Sequence, residues 1–526
     1  MFSSLLLAVT IVAHDPGYNT ALANHLGRWM KNEAIAAKVV TPREMAAELK
    51  REKLAFLVGF GTPSDSEMKT LREFRARGGK LVVFHSANPA LARLMGVKPL
   101  GYLAAPYPGA YSKMNFDASS FSGCPTTILQ TSGVLNRVAP EKGRGRVIAN
   151  WLDREGRTTG EAAWVQTDAG WWMSHVLLAD GDEDLKSRLV AAICGAVDPA
   201  LWNYAKYQAR DKARREELKA FAKKQTPSAG EIHATWDHSG CGLYPGDWPK
   251  TIRVLREARV TDLFVNVAGA GFAHYPSSVL PRSRVFADEG DQLAACLEAA
   301  RGTGVRVHAW LLTFSAARAA PSVLENYAKR GWRLKDAQGR LTDYVDPADS
   351  AVRKLLLDAI DELQRRYPGL AGIHLDFIRY GESAVKPADA AERITSFVTQ
   401  ARARVKSPRW FTTAVYGSHP RCVGTVGQDW PGWLDAKIVD YVVPMDYTEK
   451  DEDFLELLGQ QGGSRSRAKR TIIGIGVTAN ESRLDAKDVI RQIKLTRRYG
   501  FAGVSLFDLD TTLEKNILPY LMLGLW

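Results

Sequence analysis

The amino-acid sequence predicts an α/β protein of two domains, in which a doubly wound parallel sheet precedes a (β/α)8 barrel. Length is the first observation: at roughly 150 residues per domain, the 526 residues are enough for two to four domains. The second is that short apolar runs alternate with amphipathic stretches up to about residue 202. The third is that the same alternation repeats eight times after residue 230. Strands that alternate with helices in this way are typical of parallel sheets covered by helices.

The composition is that of an ordinary globular protein, with 45% hydrophobic and 24% charged residues, and it excludes global disorder and a fibrous repeat. Lys and Arg (70) outnumber Asp and Glu (58), and the net charge of +12 favours an acidic partner such as nucleic acid, anionic lipid or anionic polysaccharide, without choosing among them. The five cysteines form no CxxC pair, which argues against a zinc site and a dense disulfide framework. We predict no metal site and no cofactor, although the sequence does not give the metal requirement of the protein.

The first residues, MFSSLLLAVTIVA, are apolar enough for the core of an export signal, although they lack its positively charged leading segment. The alternative is that VTIVAHDPG is already a buried strand followed by a loop. Both hold if the signal ends near Ala8 and the strand begins at Val9. The expected location is then secreted or periplasmic, and no transmembrane segment is expected, because no run of about 20 apolar residues exists.

Residues 1–202 carry the pattern of the first domain: VTIVAHDPG, TALANHLGRWMKN, KLAFLVGFG, SEMKTLREFRARGG, KLVVFHSANP and LARLMGV. The glycines of VGFGTPSD do not complete a dinucleotide fingerprint, because Ser64 replaces the third glycine. The domain resembles the flavodoxin-like domains of the class I glutamine amidotransferase type. In an active amidotransferase, GGKLVVFHSANPALARLMGV would carry a nucleophilic Cys at the turn from strand to helix. Here that turn holds His85, Ser86 and Ala87, so we expect no glutaminase activity.

Residues 203–229 form a basic helical pattern that ends in TPSAG, and they predict a linker between the domains. From residue 230 to 526 we predict a TIM barrel, because helical stretches separate eight apolar runs of strand character. These runs are EIHATWD, DLFVNVAG, VRVHAWLLTF, LAGIHLDFIRY, WFTTAVYGS, IVDYVVPMDY, TIIGIGVTA and FAGVSLFDLD.

The best catalytic candidates are two aspartates at predicted strand ends, since the reacting groups of such barrels lie at the carboxyl ends of the strands. Strand alternation places Asp376 inside the barrel at the end of the fourth strand. Asp446 shares a face with Pro444 at the end of the sixth strand, and we expect it at the same rim. The last strand adds Asp508 and Asp510, which have the alternative role of capping the following helix.

Further polar and aromatic side chains near the strand ends are predicted to contact the substrate. Each has an ordinary alternative: a lone His in a strand is more often a hydrogen-bonded core residue, an Arg often pairs with a carboxylate, and several rings will pack in the core. The predicted substrate-binding residues are His233, Trp236, Asp237, Asn266, His308, Trp310, His374, Arg379, Tyr380, Trp430 and Tyr447.

Three segments of the second domain, GIHLDFIRY, QDWPGWLDAKIVDYVVPMDY and IRQIKLTRRYGFAGVSLFDLD, are similar to the glycosyl-hydrolase-like 10 group of bacterial TIM-barrel proteins. With VHAWLLTF and YVDPADSAVRKLLLD they cover most of residues 231–526. The resemblance implies a sugar substrate, such as a peptidoglycan-derived glycan, and an envelope or extracellular setting. The family often has paired acids after the fourth strand, whereas here Phe377 follows Asp376.

Cleavage of a glycosidic bond needs one carboxylic acid that protonates the leaving oxygen and a second carboxylate that acts as nucleophile or base, roughly 5 to 9.5 Å away. We predict a glycoside hydrolase with Asp376 as the proton donor, because its IHL context is more apolar than the MDYTEK context of Asp446, the predicted nucleophile or base. Glu449 is the alternative partner. No DxxDxDxE run is present, which argues against a chitinase-like, substrate-assisted mechanism.

Two other functions remain open at this level. One is a non-catalytic carbohydrate-binding protein that keeps the barrel groove and its aromatic rings. The other is a binder of nucleic acid or another anionic polymer, which only the net charge and the basic linker support. We expect no nucleic-acid partner, because no recognised nucleic-acid-binding motif is present.

Overall fold

The computed structural model of the protein describes residues 9–14, 17–107, 109–117, 120–153, 156–179 and 182–526. The chain divides into two compact units, Met1–Arg214 and Arg215–Trp526, so the division falls within the predicted linker. The export-signal hypothesis rests on residues 1–8, which lie outside the described residues. Within the described ranges, no helix is both long enough and apolar enough to cross a membrane.

The first unit contains one large sheet with helices on both faces. The strands of this unit are β1 (Val9–Ala13), β2 (Ala37–Val40), β3 (Leu54–Val58), β4 (Lys80–Phe84), β5 (Val97–Ala104), β6 (Tyr111–Phe116), β7 (Thr127–Ser132), β8 (Val134–Pro140), β9 (Gly145–Leu152), β10 (Thr158–Thr167) and β11 (Gly170–Met173). All of them except β5 and β8 belong to the large sheet. Its helices are α1 (Tyr18–Asn32), α2 (Pro42–Glu48), α3 (Asp65–Ala76), α4 (Pro89–Met95) and α5 (Glu183–Val197), and α6 (Tyr204–Lys223) crosses the division between the units.

The strands of the large sheet follow the order β2-β1-β3-β4-β11-β10-β9-β6-β7, and the first five of these run parallel. One core packs α1 and α5 against one face of the sheet, and another packs α2, α3 and α4 against the other face. Strands buried on both faces are almost continuously apolar, as in β1 and β3. The predicted strands and helices up to α4 are confirmed, whereas β2, α2 and the antiparallel strands were not predicted. The amidotransferase-like assignment stays a prediction.

In the turn after β4, His85 adopts the left-handed backbone conformation, with φ of 46°. The Ser86 side chain is buried, and its hydroxyl donates a hydrogen bond to the carbonyl of Phe60 at 2.7 Å. Ser64, which interrupts the glycine pattern, caps α3, since its hydroxyl accepts from the Glu67 N–H at 3.3 Å.

We expect the full-length chain to release no ammonia from glutamine, because neither His85 nor Ser86 supplies a thiolate at this turn. The measurement is a coupled ammonia assay, with an active class I amidotransferase as the positive control. Glutamine-dependent ammonia release by the purified chain, above a blank without protein, would contradict this expectation.

The second unit is built on eleven strands and twelve α-helices within its described residues. The strands are β12 (Ile232–Asp237), β13 (Asp262–Gly269), β14 (Phe272–Ala273), β15 (Arg306–Leu312), β16 (Arg333–Lys335), β17 (Leu341–Val345), β18 (Gly372–Asp376), β19 (Trp410–Tyr416), β20 (Tyr441–Met445), β21 (Ile472–Gly476) and β22 (Gly503–Phe507). The helices are α7 (Trp248–Glu257), α8 (Arg284–Glu289), α9 (Gln292–Ala300), α10 (Pro321–Lys329), α11 (Ser350–Arg366), α12 (Ala390–Arg404), α13 (Arg421–Val426), α14 (Trp430–Asp435), α15 (Asp451–Gln461), α16 (Arg465–Ala468), α17 (Ala486–Arg498) and α18 (Leu518–Leu521), with a π-helix over Leu513–Ile517 before α18.

Eight of these strands form a closed parallel barrel. The order is β12-β22-β21-β20-β19-β18-β15-β13, and the parallel pairing of β12 with β13 closes the ring. All eight predicted barrel strands, and with them the predicted α/β class, are confirmed. The two sides of each strand belong to different cores: a small cluster inside the barrel and a large one between the barrel and its helices. This division decides which side chains reach the mouth of the barrel.

Candidate active site

Asp376 ends β18 at the carboxyl rim and is 4% exposed. Its Oδ1 accepts a hydrogen bond from the Phe377 N–H at 2.5 Å and lies 3.5 Å from Nη1 of Arg379. Burial raises the pKa of Asp376, and the Arg379 charge and the Phe377 N–H partly oppose this rise. The neighbouring Leu375 lies in the core between barrel and helices, so Asp376 faces the barrel mouth, as predicted.

Arg379 is held in one position by a polar and aromatic network. Its guanidinium lies 4.6 Å from the ring centre of Tyr416, and its Nε lies 3.3 Å from Oε1 of Glu382. Glu382 also accepts hydrogen bonds from the hydroxyls of Tyr344, at 3.1 Å, and Tyr416. Burial tends to raise the pKa of Glu382, but these hydroxyls and Arg379 lower it overall. Glu382 is therefore an anion that anchors Arg379 beside Asp376. Glu382, Tyr344 and Tyr416 were not predicted from the sequence, because the two tyrosines that contact Glu382 lie on β17 and β19, far from it along the chain.

Asp508 follows β22 directly and forms a second carboxyl group at the rim. Its Oδ1 accepts a hydrogen bond from the His238 N–H at 3.1 Å. Burial, with a contribution from the charge of Asp237, raises the pKa of Asp508 to about 8. The expected helix-capping role belongs to Asp510, whose Oδ1 accepts from the Leu513 N–H at 2.8 Å. Asp508 is therefore a carboxyl group that keeps its proton at neutral pH.

Tyr447 lies close enough to Asp376 and Asp508 for the charges of both to act on its pKa. Its ring stacks on Phe507 with the ring centres 5.4 Å apart. Burial raises the pKa of Tyr447 well above its usual value, and the charges of Asp376 and Asp508 add to the rise. β18 and β22 are the fourth and eighth strands of the ring and therefore lie opposite each other. The charges of Asp376 and Asp508, with those of Glu481 and Asp446, all act on the pKa of the Tyr447 phenol.

The structure corrects the expected position of Asp446. Tyr441, Val443 and Met445 of β20 point into the barrel, so the alternation turns Asp446 towards the helices. Its Oδ1 accepts a hydrogen bond from Nε2 of Gln461, in α15, at 2.7 Å, and its Oδ2 is buried without a partner in the described part of the chain. Asp446 therefore does not face Asp376 across the mouth.

The alternative partner, Glu449, lies in an exposed loop after β20. Its Oε1 accepts a hydrogen bond from the Arg483 N–H at 2.9 Å, which ties this loop to the loop after β21. This contact gives Glu449 a loop-bracing position, and its role as a catalytic partner stays a prediction.

Asp446→Asn should leave the activity of the protein unchanged and stabilise it at about pH 8. Burial raises the pKa of Asp446 well above the usual 3.8, so the folded protein retains a proton that the unfolded chain releases. This difference lowers stability increasingly as the pH rises from about 4 towards the raised pKa, and Asn does not have it. We expect a higher Tm for the variant at pH 8 and a shrinking difference towards pH 4, measured by circular dichroism. A folded variant with a large loss of activity would instead support the sequence-based pairing.

Three predicted substrate-binding residues lie deeper in the barrel interior and form a packed polar core. The Trp236 indole N–H donates to Nε2 of His374 at 3.0 Å, so Nδ1 of His374 donates to the Thr412 hydroxyl at 2.8 Å. His308 pairs through Nε2 with Oδ1 of Asp262 at 2.7 Å. His374 and His308 have no exposed surface, and burial lowers the pKa of His374 well below its usual value. These contacts correct the expectation that Trp236, His308 and His374 touch substrate.

Two further predicted residues, His233 and Asp237, point away from the barrel interior. Ala234 and Trp236 occupy the inner side of β12, so His233 and Asp237 occupy the outer side. His233 lies near the amino end of the strand and stacks on Trp526, with the ring centres 4.3 Å apart. Asp237 accepts hydrogen bonds from the backbone of the following loop, including the Gly242 N–H at 2.9 Å. The expectation that either residue contacts substrate is corrected, although Asp237 still acts on the pKa of Asp508.

Tyr380 and Trp430 lie in the core between barrel and helices, each 1% exposed, which corrects their predicted place at the rim. The Trp430 indole N–H donates to the carbonyl of Tyr416 at 3.1 Å. Trp430 therefore supports the backbone at the end of β19, beneath the ring that contacts Arg379.

Asn266, Trp310, Arg379 and Tyr447 lie near the carboxyl ends of the barrel strands, and their contact with a substrate stays a prediction. Asn266 accepts a hydrogen bond from Nη1 of Arg318 at 2.9 Å, and Trp310 adds to the groups that lower the pKa of Asp376. A cleft of about 670 Å³ opens beside them; its lining includes His238, Arg318, Arg340, Tyr344 and Phe377. Within the described residues, no group of three or more His, Cys, Asp or Glu side chains is arranged to hold a metal ion.

Comparison with known proteins gives distant structural similarity. No protein-family model and no curated protein matches the sequence. The glycoside hydrolase domain of PgaB (BpsB) from Bordetella bronchiseptica is 13% identical, covers 53% of this chain and 93% of that chain, and has a TM-score of 0.42. The chitinase RmChi1 from Rhizomucor miehei is 12% identical, covers 51% of this chain and 93% of that chain, and has a TM-score of 0.35. An endo-1,4-β-mannanase from Rhizomucor miehei is 8% identical, covers 54% of this chain and 90% of that chain, and has a TM-score of 0.38. The family resemblance noted in the sequence stays a prediction.

Proposed function

We propose that the barrel is a glycoside hydrolase and that Asp376 and Asp508 are its two catalytic carboxyl groups. The observation that carries this proposal is that both residues stand at the carboxyl ends of opposite barrel strands, and that burial raises both pKa values, that of Asp508 to about 8. A positive charge lies beside Asp376 and a negative charge lies near Asp508. Paired titratable groups in unequal environments are the arrangement that two-carboxyl acid/base chemistry requires.

Asp508 is the better proton donor of the pair. With a pKa of about 8 it is protonated at neutral pH, and it transfers that proton to the glycosidic oxygen as the bond to the leaving sugar breaks. Asp376, where the charge of Arg379 partly opposes the rise in pKa that burial causes, then acts as the carboxylate that attacks the anomeric carbon or removes a proton from the attacking water. This assignment reverses the role predicted for Asp376 from its apolar sequence context.

The remaining rim residues have roles in binding. Tyr447 presents a partly exposed ring of the kind on which sugars stack, whereas Trp310, 3% exposed, packs beside Asp376. Arg379 and Glu382 hold the wall of the mouth beside Asp376. We further propose, from the family resemblance, that the substrate is a bacterial or environmental polysaccharide such as a peptidoglycan-derived glycan, and that the protein is secreted or periplasmic.

The test is release of reducing ends by the full-length protein from a panel of neutral, acidic and N-acetylated polysaccharides and soluble peptidoglycan fragments. Cleavage by the wild type that is lost in both Asp376→Asn and Asp508→Asn, and retained in Asp446→Asn, supports the proposal. Saturable binding of a glycan by the wild type without any cleavage, over a panel that control hydrolases do cleave, favours a carbohydrate-binding protein instead.

A further inference from the structure

A second cavity, of about 770 Å³, opens at the opposite end of the barrel. Arg306, Trp410 and Tyr441, which line it, are the first residues of β15, β19 and β20, whereas Asp376 is the last residue of β18. The cavity volume lies within the roughly 300–1,000 Å³ that is typical of small-molecule sites. The mechanism proposed above uses none of its residues.

Cationic side chains dominate this cavity, since Arg306, Arg465, Lys469 and Arg497 line it together with one carboxylate, Glu231. Arg497 already neutralises Glu231 through two contacts, Nε to Oε1 at 2.9 Å and Nη2 to Oε2 at 2.5 Å. Arg306 likewise pairs with a carboxylate outside the lining, because its Nη2 lies 2.6 Å from Oδ2 of the buried Asp262.

Arg465 and Lys469 are the two cationic residues of the lining that are not paired with a carboxylate. Both side chains are exposed, and neither makes a hydrogen bond or ion pair with any described residue. They stand four positions apart across α16, a spacing that places two side chains on the same side of a helical turn. The cavity therefore presents two neighbouring positive charges that no described carboxylate neutralises.

Aromatic rings form another part of the lining. The guanidinium of Arg306 lies 3.9 Å from the ring centre of Trp410, which in turn lies 4.5 Å from that of Tyr441. Tyr499 and Phe501 stack at 6.1 Å on another side, and Tyr499 is 40% exposed. Flat ring surfaces beside positive charges suit a ligand that has both ring faces and anionic groups.

We infer that this cavity is a second ligand site, which binds an acidic oligosaccharide through the unpaired charges of Arg465 and Lys469 and the ring of Tyr499. The site is independent of the proposed hydrolysis, because its residues lie at the amino ends of the strands. It also accounts for part of the net positive charge of the chain, which the proposed reaction leaves unexplained.

The test is isothermal titration of the full-length protein at low ionic strength with tetragalacturonate, a sugar tetramer that carries a carboxylate on every ring. We expect saturable binding, and no binding of the neutral tetramer maltotetraose. The double variant Arg465→Gln/Lys469→Gln should weaken the binding of tetragalacturonate by about tenfold or more, since charge-assisted contacts are lost at both positions. Tyr499→Ser should weaken it less.

The matched control is Arg253→Gln/Lys515→Gln, which removes two exposed cations from the same unit outside the cavity lining. Arg318→Gln removes a cation from the cleft at the carboxyl rim. Both should bind tetragalacturonate as the wild type does. The inference is overturned if the wild type does not bind the acidic tetramer, if the control or Arg318→Gln weakens binding as much as the double variant, or if tripolyphosphate binds here and the sugar does not.

Discussion

Asp376→Asn should lower the rate of glycan hydrolysis by about 10²- to 10⁴-fold, the usual effect of removing a positioned acid, base or nucleophile. The amide keeps the shape of the carboxylate and can still accept the Phe377 N–H, but it neither attacks an anomeric carbon nor takes a proton from water. The loss should appear in kcat, because the interaction with the reacting carbon strengthens in the transition state. The measurement is kcat and KM on the substrate found in the polysaccharide panel.

The control for folding is thermal unfolding, since Asp376→Asn also removes one charge from beside Arg379. The network of Glu382, Tyr344 and Tyr416 remains to hold the guanidinium, so we expect a change in Tm that is small beside the change in rate. A folded Asp376→Asn protein that hydrolyses the substrate at the wild-type rate would remove Asp376 from the mechanism.

The position of Asp376 could be predicted from the sequence, and that of Asp446 could not, for one physical reason. In GIHLD the apolar residues Ile373 and Leu375 alternate with the polar ones, so the inward side of β18 is marked in the sequence. In DYVVPMD both sides of β20 are apolar, because the inner side packs in the barrel and the outer side packs against helices. Only the packed structure shows that Val443 points inward, and this decides the orientation of Asp446.

Asp508 illustrates a second limit of sequence reasoning. Its raised pKa depends on burial and on Asp237, which ends β12, the first strand of the barrel. Asp237 and Asp508 come close to each other only because β12 pairs with β22 as the barrel closes. The eight strands were predicted from local patterns, but this contact joins the two ends of the domain, and no local pattern reports it.

Asp508→Asn should also lower the hydrolysis rate by about 10²- to 10⁴-fold, and it should change the pH dependence in a specific way. As a donor with a pKa of about 8, Asp508 makes the wild-type rate fall as the pH rises through that value, because the donor loses its proton. The residual activity of the variant should show no such fall near pH 8. The measurement is kcat/KM from about pH 4 to 10, with Asp446→Asn as a matched control that should keep the wild-type profile.

Asp237→Asn provides an independent check on the same assignment, because the negative charge of Asp237 helps to raise the pKa of Asp508. Removing this charge should lower that pKa, so the basic limb of the profile should move to lower pH while the maximum rate changes less than in Asp508→Asn. The Gly242 N–H bonds one oxygen of Asp237, whereas the Ser239 and Gly240 N–H groups bond the other. Asn keeps only one acceptor oxygen and loses part of this set, so thermal unfolding is the control that the variant is folded. Another group is the proton donor if the rate of Asp508→Asn still falls near pH 8, or if the basic limb does not move in a folded Asp237→Asn. In that case Asp508 is only a neutral hydrogen-bonding residue of the barrel rim.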